Sequence, residues 1–201
     1  MTDYITVRPG LVTGNLIAEY PIPLNAHWVL TRIKKEVPRA FIAGGCIRDT
    51  ILKRPVSDID VFVPHGEEYL AREAIAHSHP KHTKEVPEPY FIMHTDVRTV
   101  NYYEGEDALP VNIIGITQGL DNPKAQLERF DFGLCRVAWD GKRLWKDLSF
   151  DVDSRDETFT LLFTQSDDAH ENSMRRYARI SQKYPGWKLV DKTKEEELFP
   201  L

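Results

Sequence analysis

The segment FIAGGCIRDTILKRPVSDIDVFV, residues 41–63, constrains the fold of this chain more than any other. It begins with an apolar run that ends in Gly44 and Gly45, which indicates a buried strand entering a tight turn. A helical pattern over residues 46–53 ends before Pro55. Residues 58–63 then alternate, so Asp58 and Asp60 share one face of a strand. The segment therefore predicts a strand, a glycine turn, a helix and a second strand in direct succession.

The rest of the chain mixes helical and strand patterns. Amphipathic spacing predicts helices over residues 25–37, 67–78 and 168–183, and Asn122-Pro123 indicates the start of a short helix that ends near residue 130. Strand patterns cover residues 90–102, 111–117 and 132–139, and Asp140-Gly141 predicts a hairpin into residues 143–145. Together these elements predict an α+β fold, a small mixed β-sheet flanked by helices.

Size and charge limit the organisation and the partners. With 201 residues and 41% hydrophobic content, the chain can bury one substantial core. We expect a head domain over residues 1–165, whose first 23 residues form an irregular arm, and a helical extension over residues 166–201. A net charge of −5 argues against a basic coat for nucleic acid. Two distant cysteines, no leader pattern and no membrane-length apolar run predict a soluble cytoplasmic protein with no membrane partner.

Two features of residues 41–63 indicate chemistry. Gly44 and Gly45 leave the backbone open to a ligand where a helix begins, and helix N-termini attract phosphate. Asp58 and Asp60 project two carboxylates in one direction, and such a pair needs a cation, for which hard oxygen ligands select Mg²⁺ or Mn²⁺. Each feature alone also has a structural explanation, a packed turn or a solvated edge strand. Their occurrence in order within one short segment favours a functional site.

These residues carry a resemblance to a known family. Gly44, Gly45, Arg48, Asp49, Arg54, Asp58 and Asp60 fill every fixed position of the pattern GGxxRDxxxxRxxxDxD. The segment thus resembles the head-domain signature of the DNA polymerase beta-like nucleotidyltransferase superfamily, and most closely its tRNA nucleotidyltransferase and poly(A) polymerase branch. The pattern covers residues 41–63, and the likeness extends loosely to about residue 145.

The resemblance implies a fold, a reaction and a set of roles. It implies the polymerase beta-like nucleotidyltransferase fold, in which Gly44 and Gly45 hold the phosphates of a nucleotide such as ATP and the two aspartates hold divalent metal. The reaction is attack of a hydroxyl on the α-phosphate of a nucleoside triphosphate, with pyrophosphate leaving. Arg48 and Arg54 belong to the nucleotide-binding set, although a salt bridge from Arg48 to Asp49 explains that arginine equally well.

The resemblance thins at the third metal ligand. The superfamily usually places a third carboxylate on a neighbouring strand, and the corresponding strand here carries Asn112. An amide oxygen can bind Mg²⁺, but it lacks the charge that lowers the pKa of a bound hydroxyl. Asp131, in the sequence RFDFGLC, is the alternative catalytic carboxylate, with a helix-capping or turn role as its structural alternative.

The helix predicted over residues 168–183 carries a basic stripe. Arg176, Arg179 and Lys183 are spaced three and four residues apart, so they share one helix face. The stripe resembles the arginine-bearing helix that follows the head in poly(A) polymerase-like enzymes, which implies contact with nucleotide or RNA phosphates. A merely solvated face is the alternative.

Three functions follow from these observations. The first is a metal-dependent nucleotidyltransferase acting on an RNA acceptor, or otherwise on a protein or a small molecule. The second is a catalytically weakened member that binds nucleotide or RNA and acts through a partner. The third is an interaction domain without catalytic chemistry. The long helical regions that read the base and hold tRNA in the tRNA branch have no counterpart in this sequence, so full CCA addition is not expected.

Overall fold

The computed structural model describes residues 4–7, 20–76, 97–103, 109–117 and 123–193. The first half contains β1 (Tyr4–Val7), β2 (Tyr20–Pro23), α1 (Leu24–Glu36), β3 (Phe41–Ala43), α2 (Gly45–Ile51), β4 (Ile59–Pro64), α3 (Glu68–Ala76) and β5 (Val97–Tyr103). The second half contains β6 (Val111–Ile116), α4 (Pro123–Leu127), β7 (Val137–Trp139), β8 (Leu144–Lys146), α5 (Leu148–Asp156), β9 (Thr158–Leu161), α6 (Asp167–Ile180) and β10 (Lys188–Asp191). No helix in these described ranges is long and apolar enough to cross a membrane.

A six-stranded mixed sheet organises the fold, with the strand order β5-β6-β4-β3-β7-β8. Strands β4 and β6 run parallel, whereas β3 is antiparallel to both β4 and β7. Two smaller pairs accompany this sheet, an antiparallel β1–β2 and a parallel β9–β10. The predicted α+β fold with a mixed sheet is confirmed.

The two faces of the sheet bury different clusters. Ile59, Val61 and Val63 of β4 are fully buried in the main core, which includes apolar residues of α1, α2 and α3. Phe62 points to the opposite face and packs in a smaller cluster with Phe41 and residues of β6 and α4. Because alternate residues of a strand share a face, Asp58 and Asp60 lie on the side of Phe62.

Some predicted boundaries change. The strand predicted over residues 132–139 is formed only at Val137–Trp139, and Gly133–Cys135 is a 3-10 turn. A Cβ on Gly133 would lie 2.7 Å from the Asp153 carboxylate, so the chain turns here to pack closely on α5. The expected N-terminal arm contains two paired strands, β1 and β2. Residues 90–96, at the start of another predicted strand, lie outside the described residues.

The C-terminal segment is built into the rest of the molecule. Strand β10 pairs with β9, which lies on the other side of the expected domain boundary. The Tyr184 hydroxyl donates to Asp49 Oδ1 at 2.6 Å, and Lys183 Nζ lies 2.7 Å from Asp49 Oδ2. Asp49 and Tyr184 are each only 1% exposed. These buried contacts join the end of α6 to the helix that follows the glycine turn.

We predict that Tyr184→Phe destabilises the protein by about 1–3 kcal/mol, because a buried carboxylate loses a hydrogen-bond donor. Chemical denaturation of the variant measures the change. The control is Tyr69→Phe, which alters a side chain that is 64% exposed. Equal unfolding free energies for the two variants would contradict the anchoring role of Tyr184.

Candidate active site

A cleft of about 280 Å³ lies where β4 begins, and it gathers most of the residues singled out in the sequence. Strand β4, the glycine turn and α6 each contribute to its lining. The predicted residues that line it are Gly44, Gly45, Arg48, Asp58, Asp60, Asn112, Arg176, Arg179 and Lys183. Arg54 and Asp131 do not line it.

The glycine turn forms one side of the cleft. Gly44 has a φ of +75°, a conformation that side chains rarely adopt, and it caps α2. A Cβ at this position would lie 3.5 Å from Phe130 Cε1. The Gly44 amide donates to the carbonyl of Val137 at 2.8 Å, so the turn is fixed to the neighbouring strand β7. The backbone conformation therefore favours glycine here.

Asp58 and Asp60 form an acidic pair whose charges are poorly compensated. Burial raises the pKa of Asp60 to about 6, with a further rise from the neighbouring Asp58 and an opposing effect of the Asn112 hydrogen bond. Burial also raises the pKa of Asp58, against the lowering effects of Arg179 and Lys183. Two partly buried carboxylates on one face of a strand are stabilised by a cation.

Asn112 completes the oxygen-rich end of the cleft. It lies directly opposite Asp60 in the parallel β4–β6 register, and its Nδ2 donates to Asp60 Oδ1 at 2.7 Å. Its Oδ1 is buried and has no hydrogen-bond partner. Among the described residues no group of three His, Cys, Asp or Glu side chains could hold a metal. The donors that fit a hard cation here are thus two carboxylates and one amide oxygen.

The predicted basic stripe lies on α6, which ends at Ile180, and on the 3-10 turn Ser181–Lys183 that follows it, and its three cations have different partners. Arg176 donates to Asp131 Oδ1 at 3.0 Å, and Lys183 donates to Asp49, to the carbonyl of Pro55 and to Ser57 Oγ. Arg179 is exposed and lines the cleft, and it makes no hydrogen bond to any described residue. Of the three cations of the stripe, Arg179 is therefore the one that keeps all of its donors available to a ligand.

Three other predicted residues are held in structural contacts. Asp131 is 5% exposed, and its carboxylate accepts from Ser173 Oγ, Arg176 and the Phe132 amide. Arg48 is buried and donates to Asp49, Tyr184 and the Cys135 sulfur. Arg54 stacks its guanidinium over the Tyr184 ring, 5.3 Å from the centroid. These contacts favour a positioning role for Asp131 and the salt-bridge alternative for Arg48.

Sequence reasoning did not single out several lining residues, among them Phe130 and Gln126. Both come from the segment that contains α4, which carries no recognisable motif. They reach the cleft because α4 packs over Phe62 and Ile114 on the same face of the sheet as the acidic pair. No local sequence signal distinguishes such residues from ordinary core positions.

A family model described as "Gabija anti-defense 2 family protein" matches residues 23–154, which include the strands of the acidic pair and of Asn112. The chain belongs to this family. Among curated proteins, a sequence comparison finds no match.

Solved structures resemble this Gabija anti-defense 2 family member in fold. One described as a tRNA-processing enzyme in apo form I has 22% sequence identity and a TM-score of 0.61, with 85% of this chain and 44% of that chain covered. The Thermotoga maritima CCA-adding enzyme complexed with tRNA has 20% identity and a TM-score of 0.62, with 86% and 40% covered. A CCA-adding enzyme complexed with CTP has 21% identity and a TM-score of 0.63, with 86% and 41% covered.

These likenesses confirm the predicted polymerase beta-like nucleotidyltransferase fold. The chain spans less than half the length of the structures it matches. Because the sequence identity is only 20–22%, these likenesses show the fold of the chain and do not show its activity.

We predict that Asp60→Asn stabilises the protein without divalent metal. An aspartate in an unfolded chain has a pKa of about 4, and the value of about 6 in the folded protein is higher. The folded state therefore binds protons more tightly, so Asp60 lowers stability as pH rises from about 4 to about 6. The substitution should raise the free energy of unfolding by about 1–2 kcal/mol at about pH 7.5 and have little effect at about pH 4.

Thermal unfolding in the presence of a chelator, at both pH values, measures this difference. Asp156→Asn, at an exposed aspartate outside the cleft, is the matched control and should give no stabilisation. A destabilised Asp60→Asn protein at neutral pH would show that the acidic pair is already compensated.

Proposed function

We propose that this protein transfers a nucleoside monophosphate from a nucleoside triphosphate to a hydroxyl acceptor, with RNA as the favoured acceptor. The observation that carries the proposal is the opposition, across one cleft, of the Asp58–Asp60 pair and the available cation Arg179. The carboxylates suit a metal and the guanidinium suits phosphate, so their juxtaposition fits a metal-bound triphosphate.

Mg²⁺ or Mn²⁺ would be held by Asp58, Asp60 and Asn112 Oδ1. The last of these is a buried oxygen that lacks a partner, which supports its assignment as the third ligand. When bound, the metal would neutralise charge that develops on the phosphoryl oxygens. It would also lower the pKa of Asp60, which burial and then the neighbouring Asp58 raise.

The basic residues position the triphosphate. Arg179 binds phosphate oxygens directly, and Arg176 does so from a guanidinium that Asp131 orients. Lys183 and Arg48 contribute positive potential, but their donors mainly hold Asp49. The glycine turn leaves space for the phosphates beside α2. Asp131 thus acts on the nucleotide through Arg176 and not as a metal ligand.

The transfer step forms a bond between the acceptor oxygen and the α-phosphorus. It breaks the bond between that phosphorus and the bridging oxygen of the β-phosphate, and pyrophosphate leaves with the electron pair. The acceptor hydroxyl gives up its proton to water at the acidic end of the cleft. Fixed phosphates and a fixed acceptor supply the in-line geometry.

Two comparisons support these partners. The solved neighbours include complexes with tRNA, ATP and CTP, which favours a nucleoside triphosphate and RNA as ligands here. The family description, Gabija anti-defense 2, favours a role in counteracting a Gabija defence system.

Asn112 favours a second candidate function, a weakened member that binds nucleotide or RNA and acts through a partner. An uncharged third ligand activates a bound hydroxyl less than a carboxylate does. This candidate predicts nucleotide binding that needs Asp58 and Asp60 but no transfer of the nucleotide to any acceptor.

We predict that Arg179→Gln weakens nucleoside triphosphate binding by roughly ten- to hundredfold, because a charge-assisted hydrogen bond to phosphate is lost. Isothermal titration with each of the four nucleoside triphosphates and Mg²⁺ measures the change. Arg175→Gln is the matched control, since Arg175 lies on the same helix, pairs with Glu171 at 2.6 Å and does not line the cleft. Equal affinities for the two variants would remove Arg179 from the phosphate site.

A further inference from the structure

The cleft has two chemically different ends. Its lining combines Asp58, Asp60 and Arg179 with Phe62, Phe130 and Gln126, and the Phe130 ring contacts that of Phe62. The register separates the two ends, because Asp60 is opposite Asn112 and Phe62 is opposite Ile114. Two residues along a strand span about 6.6 Å. The apolar end therefore begins one such step away from the carboxylates.

Aromatic rings form the apolar end. Phe62, in strand β4, is 4% exposed, whereas Phe130 is only partly buried. The two rings meet edge to face, with centroids 5.8 Å apart and planes at 74°. Phe130 also adjoins the glycine turn, where a Cβ on Gly44 would approach its ring to 3.5 Å. A flat ligand that extends from the glycine turn would meet Phe130.

Gln126 adds hydrogen-bonding capacity to this end. Its residue is 3% exposed, and its side chain lines the cleft. Within the described part of the chain, its side-chain amide forms no hydrogen bond. The amide offers one acceptor and two donor hydrogens, and its atoms are not among the described buried side-chain atoms that lack a partner, so they are open to the cleft. A ligand that carries donors and acceptors together on one edge can therefore bind to this amide.

We propose that this aromatic end, which we call the base pocket (Phe62, Ile114, Gln126 and Phe130), binds the nucleobase of the triphosphate. The inference rests on the proposed function, and it specifies where the base binds and which residue recognises it. A nucleobase has apolar faces and a polar edge, which matches Phe130 together with the Gln126 amide. No described side chain of the base pocket is charged, so neither the triphosphate nor the metal suits it. Base preference is thus set by Gln126, on the same domain as the acidic pair.

The test compares two probes, the four nucleoside triphosphates and inorganic tripolyphosphate, each titrated calorimetrically with Mg²⁺. Phe130→Leu and Gln126→Leu should each weaken binding of the preferred nucleoside triphosphate by roughly tenfold, the first by loss of a stacking partner and the second by loss of hydrogen bonds to the base. Both variants should bind tripolyphosphate as the wild type does. Gln126→Leu should also reduce the differences among the four nucleotides.

Matched controls keep the result specific. Phe163→Leu and Gln182→Leu make the same changes at exposed positions outside the cleft and should leave all affinities unchanged. Phe130→Tyr retains the flat ring and should restore nucleotide binding, which separates stacking from a general packing defect.

The outcomes separate this inference from the proposed function. Suppose that the wild type binds both probes, and that the two base-pocket variants still bind nucleoside triphosphate more tightly than tripolyphosphate and still prefer one base. The base then lies elsewhere. The same conclusion follows if the variants lose both probes equally while they remain folded. If the wild type binds neither probe, the proposed function itself fails.

Discussion

The buried carboxylate of Asp49 holds the two walls of the cleft together. It accepts hydrogen bonds from Arg48, Tyr184 and Lys183, and it is 1% exposed. A charge so deeply buried is tolerated only when it is fully paired, so the segment that supplies two of these donors must dock on α2. That docking fixes the end of α6, and with it the position of Arg179 opposite Asp58 and Asp60. The geometry of the candidate site thus depends on a residue that need not touch the ligand.

A second buried aspartate repeats this arrangement near the middle of α6. Asp131 binds Ser173 and Arg176, so the helix is held at two levels, with Arg179 between them. In contrast, Asp58 and Asp60 are left with raised pKa values and few partners. The carboxylates that anchor the helix, Asp49 and Asp131, are therefore fully hydrogen-bonded. The charges of Asp58 and Asp60, which face the cleft, are poorly compensated. Such a distribution is typical of a site whose charge balance is completed by a ligand.

The local pattern of the sequence predicted the centre of this site, and contacts distant in sequence determined the rest. The alternation of Asp58 with Ile59 and the following residues correctly placed the acidic side chains and the core side chains on opposite faces. The partner of Lys183, however, lies 134 positions away in the sequence, so its structural use could not be read from the helix pattern. Leu148, Phe150 and Val152 alternate as in a strand, so the sequence pattern does not predict the helix α5. The turn at Gly133 depends on packing against that helix, which no local pattern shows. The roles of Asp131 in positioning and of Gln126 in base binding have no local signal and stay proposals.

The most direct measurement is transfer of label from nucleoside triphosphates to total RNA, tRNA and total protein, with Mg²⁺ or Mn²⁺ and both wild-type protein and Asp58→Ala/Asp60→Ala. Each nucleotide is supplied once with ³²P at the α-phosphate and once at the γ-phosphate. The account predicts that α-label, but not γ-label, becomes attached to RNA, and that the double variant abolishes it. Nucleotide binding by folded wild-type protein with no α-label on any acceptor would contradict the transferase and leave the weakened binder.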